Sequence, residues 1–302
     1  RASAGARCAL ALMALMLMSS LLGIVPAAQV AQTNDMGLTE AQPAGGRALT
    51  VWSGTVMVNG DYTVASGDEL RIQAGADIQM GPGVRIYVEG KLTAHGTSSA
   101  PVTISVQQGF IWHDGFQFNA TSRGRGSHLQ NMSISDAQYG ITIYDSDPVI
   151  DDLYLDNPDY VGIDLFNSAS PVIRRLTVQD GGQDVHGGET HWRYGIGLSV
   201  GAGSAPFVQG ANFDNLITRA VSFWRGSGGV LRDLNISNIS GATLNISAGI
   251  YVDDSLPLFE DVSITRSDHG VYIMHTMDNM TTRPVFRHIT IEDSQYRGVM
   301  ID

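Results

Sequence analysis

The chain has 302 residues, enough for one large domain or two ordinary ones, and its 35 glycines with only 16% charged residues exclude a disordered polyelectrolyte. Eighteen Lys and Arg against 30 Asp and Glu give a net charge of −12. This balance argues against nucleic acid or an anionic membrane surface as the main partner, because phosphate neutralisation needs a basic face.

The N-terminal segment is basic at first and then apolar. RASAGAR is followed by an almost wholly apolar run over residues 8–25, and Pro-Ala-Ala at 26–28 offers small residues for cleavage. We predict a secretory signal peptide over residues 1–28, although 18 apolar residues are also just enough for a membrane anchor. Cleavage would remove Cys8, the single cysteine. We therefore expect an exported protein, extracellular or at the cell surface, without disulfides.

The next two segments differ in pattern. Residues 29–49 are polar, contain Pro and Gly and lack periodicity, so we predict a flexible linker. From Val51 the chain alternates apolar and polar residues between Asn-Gly, Ser-Gly and Ala-Gly breaks. This alternation predicts β-strands, and we assign residues 50–108 to N-terminal β capping coils. No segment further along has the periodicity of a long amphipathic helix.

A repeat fills the rest of the chain, residues 109–302. Two successive copies read YGITIYDSDPVIDDLYLDN (139–157) and VGIDLFNSASPVIRRLTVQD (161–180). Each copy has a glycine slot that opens a strand, a corner slot that is usually Pro, and a second strand that starts five residues after the corner in all seven copies. We assign the glycine slot to Gly115, Gly140, Gly162, Gly195, Ala220, Gly249, Gly270 and Gly298.

Strands this short bury little apolar surface alone, but stacked on identical neighbours they form parallel sheets at about 4.8 Å per coil. The repeat resembles that of the right-handed parallel β-helix proteins, the pectate-lyase-like superfold. The resemblance implies an all-β fold, a right-handed parallel β-helix (single-stranded solenoid), but no activity, because lyases, glycosidases, adhesins and tailspikes share it. An open last coil invites strand pairing, so we expect the natural protein to continue beyond Asp302. Membrane contact is expected only through that continuation or through an uncleaved N-terminal segment.

Three insertions interrupt the repeat, at 178–194, 236–248 and 274–283, and we expect them to wall a groove across the glycine-strand sheet. Its floor is predicted to expose an aromatic strip that suits stacking on sugar rings; alternatively, the loops cover the strip as a second small core. The strip consists of Tyr144, Phe166, Trp224, Tyr251 and Tyr272. The predicted ligand-binding residues are Asp164, Phe166, Arg193, Trp224, Tyr251, Asp253 and Tyr272.

These features support three hypotheses for function. The first is non-catalytic binding of a polysaccharide or a cell-surface glycan through the glycine-strand sheet. The second is a polysaccharide lyase or glycoside hydrolase that uses a groove between the 178–194 and 236–248 loops, and the third is a structural spacer. Asp164 and Asp253 lie three coils apart, about 14 Å, beyond the ~5–9.5 Å of paired catalytic carboxylates.

Cofactor and modification sites have weaker signals. The resemblance implies that a lyase would bind Ca²⁺ through several Asp residues and would use an Arg or Lys as the base. Arg225 and Arg193 are placed for the base, but no Asp cluster falls on adjacent coils. No other cofactor is predicted. His186, Glu189 and His191 are able to bind a metal, yet their spacing matches no familiar site, and we expect solvent-facing histidines. Sequons at Asn119, Asn131, Asn235, Asn238, Asn245 and Asn279 are glycosylation sites if the host modifies exported proteins, or simply turn residues.

Overall fold

The computed structural model describes residues 30–31, 47–182, 194–241, 247–276 and 282–302. The predicted signal peptide and most of the predicted linker lie outside these residues. Within the described part of the chain, no helix is long and apolar enough to cross a membrane. The first strands are β1 (Val30–Ala31), β2 (Leu49–Trp52), β3 (Thr55–Val58), β4 (Tyr62–Val64), β5 (Glu69–Ile72), β6 (Asp77–Met80), β7 (Ile86–Val88), β8 (Lys91–His95), β9 (Val102–Val106) and β10 (Phe116–Phe118).

A short 3₁₀ turn, Ala120–Ser122, precedes the regular coils. From here each coil contributes one strand of five or six residues and one of eight to twelve. The strands are β11 (His128–Ser135), β12 (Tyr139–Tyr144), β13 (Val149–Asp156), β14 (Val161–Phe166), β15 (Val172–Gln179), β16 (Ile196–Val200), β17 (Phe207–Leu216), β18 (Arg219–Phe223), β19 (Gly228–Ile239), β20 (Ala248–Asp253), β21 (Leu256–Ser267), β22 (His269–Met274), β23 (Val285–Glu292) and β24 (Arg297–Ile301).

Every strand from β4 onward pairs in parallel with the equivalent strand of the next coil. The glycine-strand sheet has ten strands, in the order β4-β7-β10-β12-β14-β16-β18-β20-β22-β24. The longer strands stack in a second sheet, in which β11 continues both β8 and β9 and so joins two walls of the capping coils into one bent strand. The predicted parallel solenoid is confirmed.

Three columns of residues with positive φ turn the chain at the same places in successive coils. Asp and Asn dominate because, after glycine, they tolerate the left-handed conformation best. The column that bends the long strand is Asn131, Asp152, Arg175, Gly210, Asp233, Asp261 and His288. The column that ends it is Asp136, Asn157, Asp180, Asn215, Asn238, Arg266 and Asp293. The column after the glycine strand is Asp145, Asn167, Ala202, Arg225 and Asp254. Many of the Asp and Asn residues of the repeat are therefore explained by the left-handed backbone conformation at these turns.

The inward-facing side chains form one continuous core along the solenoid. Ile141, Ile143, Ile163 and Leu165 are fully buried, as the alternation predicts. The glycine slot faces this core and is tight: a Cβ on Gly162 would lie 2.7 Å from the carbonyl oxygen of the next coil. A larger residue there would push adjacent coils apart.

One register assignment from the sequence is wrong. Gly162 stacks on Gly197, not on Gly195, because Ile163 pairs with Leu198 and Asp164 with Ser199. Gly195 instead has φ +63° in the turn before the strand. The sequence Gly-Ile-Gly-Leu satisfies the slot pattern at both glycines, so the pattern does not distinguish them.

Candidate functional site

A depression of about 290 Å³ lies on the outer face of the glycine-strand sheet, over β12 and β14. Its lining is mixed, with aromatic rings beside one cation and one carboxyl group. This composition is typical of small-molecule sites, in which apolar surface is combined with a few convergent polar groups. The lining residues are Arg85, Tyr139, Thr142, Tyr144, Asp164 and Phe166.

Two stacked aromatic pairs lie at the edges of the depression. Tyr144 and Phe166 occupy the same register on adjacent parallel strands, so their rings stack with centroids 5.0 Å apart and planes 15° apart. On the opposite edge, Tyr139 stacks on Tyr160 at 5.4 Å and 10°, and Tyr160 contacts Tyr194 at 4.8 Å. The coil spacing thus builds two aromatic rows parallel to the solenoid axis.

The cation at the depression comes from a capping coil. Arg85 immediately precedes β7, and its guanidinium donates to Gln117 at 2.8 Å and pairs with Asp114 at 3.0 Å. Its carbon centre lies 5.8 Å from the Tyr139 ring centroid, within cation–π range. Burial raises the pKa of Asp114, and Arg85 opposes that shift. Arg85 was not predicted because the glycine-slot register began only at Gly115, and Tyr139 was not predicted because it precedes its slot, Gly140, whereas the predicted floor residues all follow theirs.

The floor between the aromatic rows consists of small polar side chains. Thr142, Asp164, Ser199 and Ser222 follow one another in register on β12, β14, β16 and β18. All four are buried, and Asp164, a predicted ligand-binding residue, is only 4% exposed. Its carboxyl group nevertheless lines the depression.

Trp224 extends the Tyr144–Phe166 row by two coils. The coil between Phe166 and Trp224 has Gly201 at the equivalent place, and a Cβ there would lie 2.9 Å from both Cδ1 and Nε1 of the indole. The ring of Trp224 therefore leans over Gly201 toward Phe166. Gly201 was not predicted, because counting from Gly195 placed Ser199 in this row.

A second cluster lies further along the same face and is largely closed. The Arg219 guanidinium lies 3.8 Å from the Tyr251 ring centroid and 5.8 Å from that of Trp224. Tyr251 is 7% exposed, which corrects the prediction that it is exposed. Burial raises the pKa of Tyr251 to about 12, opposed by Arg219, and burial lowers the pKa of Arg219. Arg219 Nε and Nη1 are buried without a hydrogen-bond acceptor.

The remaining predicted ligand-binding residues on this face are engaged by neighbouring side chains. Asp253 accepts hydrogen bonds from the backbone and hydroxyl of Thr276, on the third insertion. The half-buried Tyr272 donates to Asp302 at 2.8 Å. Asp253 lies on β20, three strands from Asp164 on β14, so the structure does not bring these two carboxylates together.

Several predicted residues belong to other settings. Arg193, His186, Glu189, His191, Asn245 and Asn279 lie outside the described residues. Arg225 is exposed in a turn with φ 58°. Among the described residues, no three His, Cys, Asp or Glu side chains form a metal-sized cluster.

The described sequon asparagines are part of ladders between coils. Asn119 donates to Glu89, and Asn131 donates to the Gly96 carbonyl. Asn235 donates to Asn212, and Asn238 donates to Asp214. These bonds give the asparagines a structural role, and their glycosylation stays a prediction.

Comparison with known proteins agrees with this architecture. The family model "Right handed beta helix region" matches residues 113–283, and the chain belongs to that family of right-handed parallel β-helix proteins. No curated protein sequence matches the chain.

Similar solved structures are remote in sequence. They include an alginate lyase from Paenibacillus sp. str. FPU-7 (12% identity, TM-score 0.42, 74% of this chain and 93% of that chain covered). The periplasmic alginate epimerase AlgG is similar at 13% identity and TM-score 0.44, over 82% of this chain and 78% of that chain. The catalytic domain of a GH87 alpha-1,3-glucanase variant in complex with nigerose is similar at 11% identity and TM-score 0.37, over 88% and 68%.

Proposed function

We propose that the protein is a glycan-binding β-helix that holds a polysaccharide or cell-surface glycan along its glycine-strand sheet without cleaving it. The observation that carries the proposal is the depression over β12 and β14, in which the Tyr144–Phe166 pair faces the row of Tyr139 across a polar floor. Aromatic faces bind the apolar faces of sugar rings, and Arg85 and Asp164 supply a donor and an acceptor for hydroxyl groups.

The arrangement suits a chain-like ligand better than an isolated small molecule. The aromatic rows run along the solenoid axis, and Trp224 continues one of them beyond the depression. A glycan lying along this axis would contact successive coils with successive residues. Such a site gains affinity by repeated weak stacking contacts.

We propose binding without cleavage because of the distance between the carboxyl groups of Asp164 and Asp253 on this face. Glycoside hydrolysis uses two carboxyl groups about 5–9.5 Å apart. Asp164 and Asp253 are separated by three strand spacings, roughly 14 Å. The enzymatic alternative would therefore draw its second group from the 178–194 loop.

The proposed setting is outside the cell. Export is inferred from the apolar segment at 8–25 and its small-residue cleavage site. With its net charge of −12, the protein would bind a glycan by stacking and hydrogen bonds and not through a broadly basic surface.

The test incubates protein lacking residues 1–28 with neutral and anionic polysaccharides, with and without Ca²⁺, and follows polymer length by size exclusion. We expect at least one polymer to co-elute with the protein at unchanged length. Shortened polymer would show that the protein is an enzyme and would contradict non-catalytic binding. If no polymer co-elutes with the protein or is shortened, the spacer hypothesis remains. The depression variants Tyr144→Ala and Phe166→Ala should both reduce co-elution.

A further inference from the structure

Two histidines meet on the second sheet, away from the glycine-strand sheet. His95 ends β8 and His128 begins β11, and these strands are neighbours in the second sheet. His95 Nε2 lies 3.2 Å from His128 Nδ1, and the ring centroids are 4.9 Å apart. His95 is exposed and His128 is half-buried, so the pair is open to solvent.

A carboxylate on the next coil orients the second histidine. His128 Nε2 lies 2.9 Å from Asp151 Oδ2, and Arg174 donates to the other oxygen of Asp151 at 3.3 Å. Because an ionised carboxylate only accepts, it holds the proton of His128 on Nε2. The Nδ1 lone pair of His128 therefore points at His95. This carboxylate–histidine order is the one that supports metal-binding histidines, with the carboxylate behind the ligand.

The spacing of the two ring nitrogens fits a shared metal ion. Zinc–nitrogen bonds of ~2.0–2.1 Å at a tetrahedral angle place two ligand nitrogens roughly 3.3 Å apart. The separation of His95 Nε2 and His128 Nδ1 is 3.2 Å. A metal ion can thus bind both nitrogens at close to their present separation once the two rings turn so that their lone pairs converge on it.

We propose that His95 and His128 together bind one divalent transition-metal ion of the imidazole-preferring class, Zn²⁺, Cu²⁺ or Ni²⁺. As the ion enters, the Nε2 proton of His95 passes to water and His95 takes up a proton on Nδ1, so that both rings bind as neutral imidazoles and water completes the coordination. Gln130 pairs in register with His95 and follows His128 by two residues, which places its amide on the same face. Since the described residues hold no cluster of three His, Cys, Asp or Glu, the protein supplies two nitrogens and the site stays open.

Nearby cations do not prevent this binding. Burial is the largest cause of the lowered pKa of His95, and the charges of His128, Arg71 and Lys91 lower it further. Both cations are paired with Glu69, at 3.0 and 3.5 Å, and its single negative charge offsets part of their repulsion toward an incoming ion.

Calorimetric titration of Zn²⁺ into the full chain tests the proposal. We expect one site in the wild type that is lost in His95→Ala and in His128→Ala, and that is weakened about 10–100-fold in Asp151→Asn. His288→Ala is the matched control, because His288 is a surface histidine beside a carboxylate, Asp261, at 3.1 Å. That variant should bind like the wild type.

A second readout does not depend on heat of binding. Saturating Zn²⁺ should raise the melting temperature of the wild type and of His186→Ala/His191→Ala, but not of His95→Ala, because binding to the folded state alone stabilises it. His95 is exposed, so its substitution should leave the protein folded. No binding by the wild type, or binding that survives His95→Ala, overturns the proposal. So does binding that the His186→Ala/His191→Ala variant loses.

Discussion

Gly201 makes room for the indole of Trp224, since a Cβ at Gly201 would lie 2.9 Å from both Cδ1 and Nε1 of that ring. The absence of a side chain on one coil thus lets an aromatic ring from the next coil lie across it. This contact joins Trp224 to the row formed by Tyr144 and Phe166, which stack at 5.0 Å. A residue without functional groups sets the shape of the proposed glycan-binding face.

Gly201→Ala should weaken glycan retention by displacing the Trp224 ring. The φ of Gly201 is not positive, so alanine adds no backbone strain there. Because a half-buried ring is able to tilt, the free energy of unfolding should fall by less than the ~1–3 kcal/mol typical of core overpacking. Affinity electrophoresis and tryptophan fluorescence measure the two effects. Gly60→Ala, where a Cβ meets nothing within 4 Å, is the control; equal retention by both variants would contradict the role of Gly201.

Arg219→Met should leave the free energy of unfolding unchanged or increase it. The buried guanidinium leaves Nε and Nη1 without acceptors, and each unmet buried donor costs about 1–3 kcal/mol. Methionine removes that cost while losing the cation–π contact with Tyr251, worth ~2 kcal/mol when desolvated. Urea unfolding measures the difference. A loss of more than about 3 kcal/mol would mean that the cation is satisfied in the folded protein.

His113 should make the protein less stable as the pH falls from 6.5 toward 4. The ring is fully buried; its Nδ1 accepts from the Gly115 N–H, and its Nε2 donates to the Ser135 carbonyl. Burial lowers its pKa from 6.5 to about 4. The unfolded chain therefore takes up a proton first as the pH falls, and stability present above pH 6.5 is lost down to pH 4.

The free energy of unfolding lost through His113 amounts to about 3 kcal/mol, at roughly 1.4 kcal/mol per pKa unit. Denaturant unfolding at several pH values, compared between the wild type and His113→Gln, isolates it from the carboxyl groups. The variant should show a flatter profile over this range. Parallel profiles would contradict the assignment.

Ala202→Asn should stabilise the protein modestly. Ala202 has φ 48° in the turn column after the glycine strand, where the preceding coil has Asn167 and the coil two further along has Asp254. The left-handed conformation costs most L-residues roughly 1–2 kcal/mol, and asparagine offsets part of this by local hydrogen bonding. Thermal unfolding should show a higher midpoint, whereas the same change at Ala220, a buried glycine-slot position, should lower it.

The fold was predictable because stacked coils require the same residue types at the same places, which makes the sequence periodic. The five-residue distance between corner and second strand and the glycine slot both reflect a coil that must superpose on its neighbour. Predicting the register at Gly195 failed because Gly197 fits the same pattern two residues later, and only pairing with β14 distinguishes them. The left-handed turn columns were missed, although Asp and Asn recur there at fixed offsets.

The site was predictable in part. Alternation correctly placed Tyr144, Phe166 and Trp224 in one outward row. It failed for Tyr251, because burial depends on Arg219, a neighbour from the previous coil that no local pattern identifies. Arg85 could not be predicted for the same reason, because it contacts Tyr139 only through the stacking of the capping coils on the repeat.

The most direct test of the account is affinity electrophoresis in gels that contain the polysaccharide found to co-elute with the protein. Wild type should be retarded, Phe166→Ala and Trp224→Ala should migrate as in a gel without glycan, and Tyr154→Ala should be retarded like the wild type. Tyr154 is the matched control, because it is an exposed aromatic residue on the other sheet. Retardation that survives in Phe166→Ala and Trp224→Ala, or that disappears in Tyr154→Ala, would contradict glycan binding at the glycine-strand face.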